Sequence, residues 1–231
     1  MVAACLPADA RSQAATPRAN MNVTPLSLSL PSGQSATQML VRNQGEDRLA
    51  IQLRVFEWTQ VDGEDHYAEA EDIIVSPSIV RIEPGQAQSF HVLSRSEHQA
   101  GREGRYRVVI DELPGTTVAR SGTAQTRLRL TLPLFTGSDT VAPASPQFVV
   151  QPGKLLIGNS GGRVLRLTNL EVNAAGQPVD LGAEAALQYV FSNSWVSIPL
   201  PIDTACSDAV VSVSALAADE PIDAIAHQDC S

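Results

Sequence analysis

Short runs in which apolar and polar residues alternate recur along most of the chain. They cover residues 23–30, 38–43, 49–58, 79–82, 90–93, 106–113 and 126–135, with a shorter run at 73–75. A two-residue period buries one face of a strand and wets the other, so each run predicts a β-strand. Turn signals fall between the runs: Pro31-Ser32-Gly33, Val61-Asp62-Gly63-Glu64 and Glu83-Pro84-Gly85. Asp-Gly suits a tight hairpin and Pro-Gly a β-turn. No stretch offers an amphipathic helix with caps. Strands separated by such turns predict a β-sandwich.

The pattern breaks at residues 136–146, TGSDTVAPASP, which read as a linker. Alternation then resumes at 147–150, 154–157, 164–168, 186–191, 195–198 and, weakly, 209–216. The predicted organisation is a first sandwich over 22–138, a linker over 139–146, and a second sandwich over 147–231 ending in an acidic tail. A faint repeat supports two similar units. Pro31-Ser32-Gly33 precedes a strand ending at Asn43, and Pro152-Gly153 precedes a strand ending at Asn169.

Composition narrows the picture. The 231 residues fit two small domains. With 43% hydrophobic and 18% charged residues the chain is too apolar for disorder, and 4% aromatics imply an aliphatic core. A net charge of -9 argues against nucleic acid as a partner. That charge is concentrated: residues 203–231 hold six acids and no Lys or Arg. No apolar window is long enough for a membrane-spanning helix, so no membrane insertion is expected. Residues 1–21 show no period and read as a disordered leader or as the tail of a signal peptide. Ala8-Asp9-Ala10 has the form of a cleavage site, and Val2-Ala3-Ala4-Cys5 that of a lipoprotein box. With Cys5 assigned to the leader, Cys206 and Cys230 remain as a possible disulfide of an exported protein. The cysteines form no zinc motif.

Four patches, taken in order, carry a resemblance. They are Gln52-Leu53-Arg54-Val55-Phe56-Glu57-Trp58; Ser76-Pro77-Ser78 with Ile82-Glu83-Pro84-Gly85; Tyr106-Arg107-Val108-Val109-Ile110-Asp111-Glu112-Leu113-Pro114; and Leu132-Pro133-Leu134-Phe135. The chain resembles the PapD-like periplasmic pilus-assembly chaperones of chaperone–usher systems. The first and third patches, with Ser192-Asn193-Ser194, are most similar to the archaic class. The resemblance spans roughly residues 22–200 and fades after Pro201. It implies an all-β protein of two immunoglobulin-like sandwiches in a boomerang. It implies residence in the periplasm, pilin or fimbrial subunits and an outer-membrane usher as partners, no cofactor and no enzymatic activity. The implied mechanism is donor-strand complementation, in which the chaperone lends a strand to a subunit that lacks its last one.

The resemblance also assigns roles. Ala124, Thr126, Leu128, Leu130 and Leu132 share one face by the two-residue period, with Arg127, Arg129 and Thr131 on the other. The first set is the implied donor strand, although the family places bulkier residues where Ala124 and Thr126 stand. The commonest members anchor the subunit's terminal carboxylate with basic residues at positions held here by Leu28 and Pro133. The archaic class uses the Arg of its Tyr-Arg motif, which is Arg107. A guanidinium fork grips a carboxylate bidentately. The structural alternative pairs Arg107 with Asp111 or Glu112.

Gly158-Asn159-Ser160-Gly161-Gly162 matches a serine-nucleophile pattern, with Ser160 in the reactive position. No His sits in a matching motif, and a strand rather than a helix follows, so a glycine-rich hairpin turn explains it. The acidic run Asp62, Glu64, Asp65, Glu69, Glu71 and Asp72 beside His66 lacks EF-hand spacing and reads as a solvated hairpin loop. Trp58 and Trp195 read as packing residues. The rival outside the family is an extracellular Ig-like adhesive or structural module.

Overall fold

Alternation along the chain becomes strand pairing in a computed structural model that describes residues 21–95, 101–114, 127–201 and 210–229. The first unit comprises β1 (Met21–Thr24), β2 (Leu28–Leu30), β3 (Ala36–Asn43), β4 (Leu49–Val61), β5 (Glu64–Glu69), β6 (Ile73–Ser76), β7 (Ile79–Ile82), β8 (Ala87–Ser94), β9 (Gly104–Glu112) and β10 (Arg129–Thr136). One sheet runs β1-β3-β8-β6. The other runs β2-β10-β9-β4-β5, with β7 also paired to β4. Met39, Val41, Phe90 and Val92 of the first sheet meet Leu53, Val108, Ile110 and Leu134 of the second in one buried core. Two sheets whose inner faces interdigitate in this way are an immunoglobulin-like sandwich.

The second unit repeats the plan. It contains β11 (Pro146–Gln151), β12 (Lys154–Asn159), β13 (Leu165–Ala174), β14 (Gln177–Val179), β15 (Leu187–Val190), β16 (Ser194–Pro199), β17 (Val211–Ala217), β18 (Glu220–Ile225) and β19 (His227–Gln228). Its sheets run β16-β12-β11-β19 and β14-β13-β17-β18, with β15 on β13. Val150, Leu155, Ile157, Leu167, Val211 and Val213 centre its core. Two single-turn 3₁₀ helices, Ser138–Thr140 and Ala183–Ala186, are the only helical elements among the described residues.

Several expectations change in detail. The run at 23–30 is two strands: β1 pairs with β3, and β2 crosses to the other sheet to lie parallel to β10. Pro25 separates them, where a residue without an N–H cannot continue a ladder. The acidic run after Gly63 is a strand rather than a loop. β5 pairs with β4 along its full length, yet every residue of it is exposed. The Asp62-Gly63 turn takes positive φ at both positions, 53° and 83°, as a two-residue hairpin requires. The acidic C-terminal segment supplies β17, β18 and β19, and two of its acids, Glu220 and Asp223, sit on β18.

The internal repeat lies at a different pair from the one the sequence suggested. Asn43 ends β3, and its amide donates to the carbonyls of Asp47 at 2.8 Å and Ile82 at 3.0 Å. Its carbonyl accepts the Gly45 N–H at 2.9 Å. Asn159 ends β12 and donates to Arg163 at 2.7 Å and Val190 at 3.0 Å, while accepting from Gly161 at 3.0 Å. The shared element is Asn-x-Gly, with one buried amide plugging the same corner of each sandwich. Asn169 is exposed and takes no part. This assigns the glycine-rich motif a structural role. The Ser160 hydroxyl donates to the Ser145 carbonyl at 3.5 Å, its one hydrogen bond among the described residues. Gly158 is required because a Cβ there would come within 2.7 Å of the Trp195 ring, which lies across it from β16.

Candidate functional site

The outward face of the β2-β10-β9-β4-β5 sheet carries a row of basic and aromatic side chains. Tyr106, Val108 and Ile110 of β9 point into the core, so Arg105, Arg107 and Asp111 emerge on the opposite face. Phe56 of β4 and Pro133 of β10 flank Arg107 directly in register.

The two acids that follow Arg107 on β9, Asp111 and Glu112, are already engaged. Asp111 accepts from Arg54 at 2.7 Å and from Arg129 at 2.5 Å. Burial pushes its carboxyl up, but the two guanidiniums outweigh this and hold it below the usual carboxylate range. Glu112 accepts the Leu128 N–H at 3.0 Å, and its own N–H donates to the Leu128 carbonyl at 2.9 Å. Neither acid pairs with Arg107, which makes no ion pair among the described residues.

Arg107 is held by rings instead. Its guanidinium carbon lies 3.5 Å from the Trp58 ring centroid and 4.7 Å from that of Tyr189. The two rings meet edge-to-face, 5.1 Å apart at 77°. Arg107 Nε is buried with no hydrogen-bond acceptor. Aromatic faces attract a cation without accepting its N–H groups, so the charge is partly desolvated while part of its donor set stays unpaired. Beside it opens a cavity of about 270 Å³ lined by Arg54, Phe56, Tyr67, Arg107, Val109, Arg129 and Thr131. Burial raises the Tyr67 phenol and Asp65 raises it further, while Arg107 pulls it the other way. Three arginines line this cavity and Asp111 is paired to two of them, so the cavity attracts anions on a chain of net charge -9, while Asp65 and Glu69 of β5 stand further along the same face.

The backbone beside this cavity is open. β2 covers only residues 134–136 of β10. Residues 129–133 pair with β9 on one side and with no described strand on the other. Such an edge is a template for an incoming strand, and Pro133 fits it because an edge tolerates a missing N–H.

The residues singled out from the sequence fall in different places. Leu128 and Leu130 are half-buried and pack against the first core. Leu132 is 4% exposed and belongs to that core outright. Ala124 and Thr126 lie outside the described residues, as do Cys5, Cys206, Cys230 and His98. Leu28 is buried on β2 opposite Leu134. His66, His91 and His227 are exposed on separate strands, and no cluster of three metal-ligating side chains exists among the described residues.

The ring system around Trp58 does not follow from strand alternation. Trp58 is 1% exposed although it shares its strand face with Arg54 and Phe56. A tryptophan on the polar face of an alternating strand was the available signal that another unit covers it. That cover is Phe191 and Tyr189 of the second sandwich, at 4.7 Å and 5.1 Å.

Comparison with known proteins bears on these features. Residues 20–142 match the family model described as pili and flagellar-assembly chaperone, PapD N-terminal domain. No curated protein matches by sequence. The fold is similar to a chain in the CsuC–CsuE chaperone–tip adhesion subunit complex of the archaic Csu pili of Acinetobacter baumannii. The TM-score is 0.73 at 23% identity, over 91% of this chain and 100% of that one. It is similar to a chain in the Salmonella enterica complex of SafA pilin with the SafB chaperone, at 0.67 and 16%, over 91% and 98%. It is also similar to the Escherichia coli chaperone DraB, at 0.64 and 14%, over 90% and 96%. With the family model covering more than half of the sequence, the chain belongs to the PapD-like pilus-assembly chaperones.

Proposed function

We propose that this chain is a periplasmic chaperone that holds pilin or fimbrial subunits by donor-strand complementation and delivers them to an outer-membrane usher, without enzymatic chemistry or a cofactor. The observation that carries this reading is the juxtaposition of an acid-free Arg107 with the open edge of β10. Two of the similar structures are complexes of a chaperone with a subunit, which supports the choice of partner.

The geometry suggests how the pieces act together. A strand added along residues 129–133 must stop where β2 begins at Leu134. Its last residue then lies near Pro133, which is in register with Arg107. Running parallel to β10, it brings a terminal carboxylate to the guanidinium; running antiparallel, it brings a terminal ammonium, which Arg107 repels. Backbone hydrogen bonds supply pairing and Arg107 fixes the end point. The donor face is Ala124, Thr126, Leu128 and Leu130. Leu132 is already spent on the chaperone's own core. Each Leu newly buried in a subunit groove contributes roughly 1.5–3 kcal/mol before ordering costs.

Co-expression with a subunit from the same gene cluster tests the proposal. A stable 1:1 complex and protection of the subunit from degradation are expected. Equal subunit survival without the chain would refute it and favour the adhesive-module reading.

A further inference from the structure

The proposed anchor is not a property of the first sandwich alone. Trp58 supplies one ring beneath the Arg107 guanidinium, but the second ring, Tyr189, comes from β15 of the other unit. Tyr189 is fixed there from across the interface. The Gln60 amide donates to the Tyr189 carbonyl at 2.7 Å and accepts the Phe191 N–H at 3.0 Å. One side chain of β4 thus grips the backbone on both sides of this segment as a neighbouring strand would.

Two further struts hold the units in place. Glu103, 5% exposed, accepts the Val164 N–H at 2.7 Å and the Ser138 hydroxyl at 2.7 Å. The β4–β5 turn abuts β16 so closely that a Cβ on Gly63 would lie 3.0 Å from the Trp195 carbonyl. Tyr189 is therefore a pre-set wall. With Trp58 it forms a corner of two nearly perpendicular rings, and the guanidinium cannot slide along one ring without meeting the other.

The geometry points to Tyr189 as a positioning residue: the second sandwich completes the carboxylate site by holding Arg107 flat on Trp58 at the wall of the cavity. This rests on the anchor role proposed for Arg107. A preorganised guanidinium loses less freedom when it binds, and ring faces keep water off it, so both effects favour a carboxylate over a neutral group.

The test compares two forms of one subunit from the gene cluster. One has its natural free C-terminus; the other has a short extension that moves the carboxylate away. Dissociation constants for both are measured with the parent chain, Tyr189→Phe, Tyr189→Leu and Arg107→Ala. Near-UV circular dichroism checks each fold. The expected result is that Tyr189→Leu lowers the preference for the free terminus roughly tenfold. Tyr189→Phe, which keeps the ring, should retain it. An unchanged preference in Tyr189→Leu overturns the inference. So does equal weakening of both forms, which would mark a purely structural role. If Arg107→Ala leaves the preference intact, the anchor assignment itself fails, a result separable from failure at Tyr189 alone.

Discussion

Arg107 and Asn43 show how one side chain decides more than its neighbourhood suggests. Arg107→Ala should abolish recovery of subunit in a pull-down while leaving the free chain folded, with a melting temperature lowered only by the loss of its two ring contacts, because no acid depends on it. Normal complex yield from that variant would refute the anchor. Asn43→Ala and Asn159→Ala should each cost roughly 2–4 kcal/mol in denaturant unfolding, since each leaves buried carbonyls without a donor. Asn169→Gly should shift stability by less than about 0.5 kcal/mol, because this exposed residue has φ near 52° and glycine accepts that conformation freely. Asp111 adds a pH dependence. Its folded pKa lies below its unfolded value, so its stabilisation is complete above the unfolded value, about 4. The contribution is lost as pH falls from there through the folded pKa. Asp111→Asn should therefore show a flatter fall in melting temperature between pH 6 and pH 3.

The strand β10 has two different halves. Residues 134–136 are covered by β2 on one side and β9 on the other, whereas 129–133 keep one side open. Hydrogen exchange should separate them in the free chain: edge-facing amides in 129–132 exchange quickly, and those of 134–136 slowly. Binding of a subunit should protect the first set. An unaltered exchange pattern in the complex would place the subunit elsewhere. β5 is the contrasting edge of the same sheet. It is fully exposed and carries Glu64, Asp65 and Glu69, charges that discourage pairing with a stray strand.

Between the two sandwiches, the proposed anchor and the contacts that join the units share the same atoms. Gln60, Glu103 and the ring cluster around Trp58 join the units, and Arg107 sits in that cluster. Glu103→Ala should lower the melting temperature and broaden the distribution of inter-unit distances measured by small-angle scattering, because the Val164 N–H loses its acceptor. A melting temperature and scattering profile matching the parent would show that the remaining contacts suffice.

The sequence by itself determined most of the strands and the family. A two-residue period and turn residues are local signals, so they marked most strands and the Asp-Gly hairpin. The four patches carried Arg107 with them. Sequence alternation also put Leu128, Leu130 and Leu132 on one face, but it could not divide that face between the protein's own core and an open edge. That division depends on β2 arriving from 106 residues upstream, Leu28 opposite Leu134, to cover only the end of β10. Short exposed strands such as β5 and β18 were illegible for a related reason: their pairing comes from backbone hydrogen bonds, which leave no apolar pattern. Only the tertiary structure decided that Asn43 matches Asn159, that two arginines occupy Asp111, and that Tyr189 stands against Arg107. These are juxtapositions of residues far apart in the chain, and their energies come from burial and charge pairing that exist only after the sheets have packed.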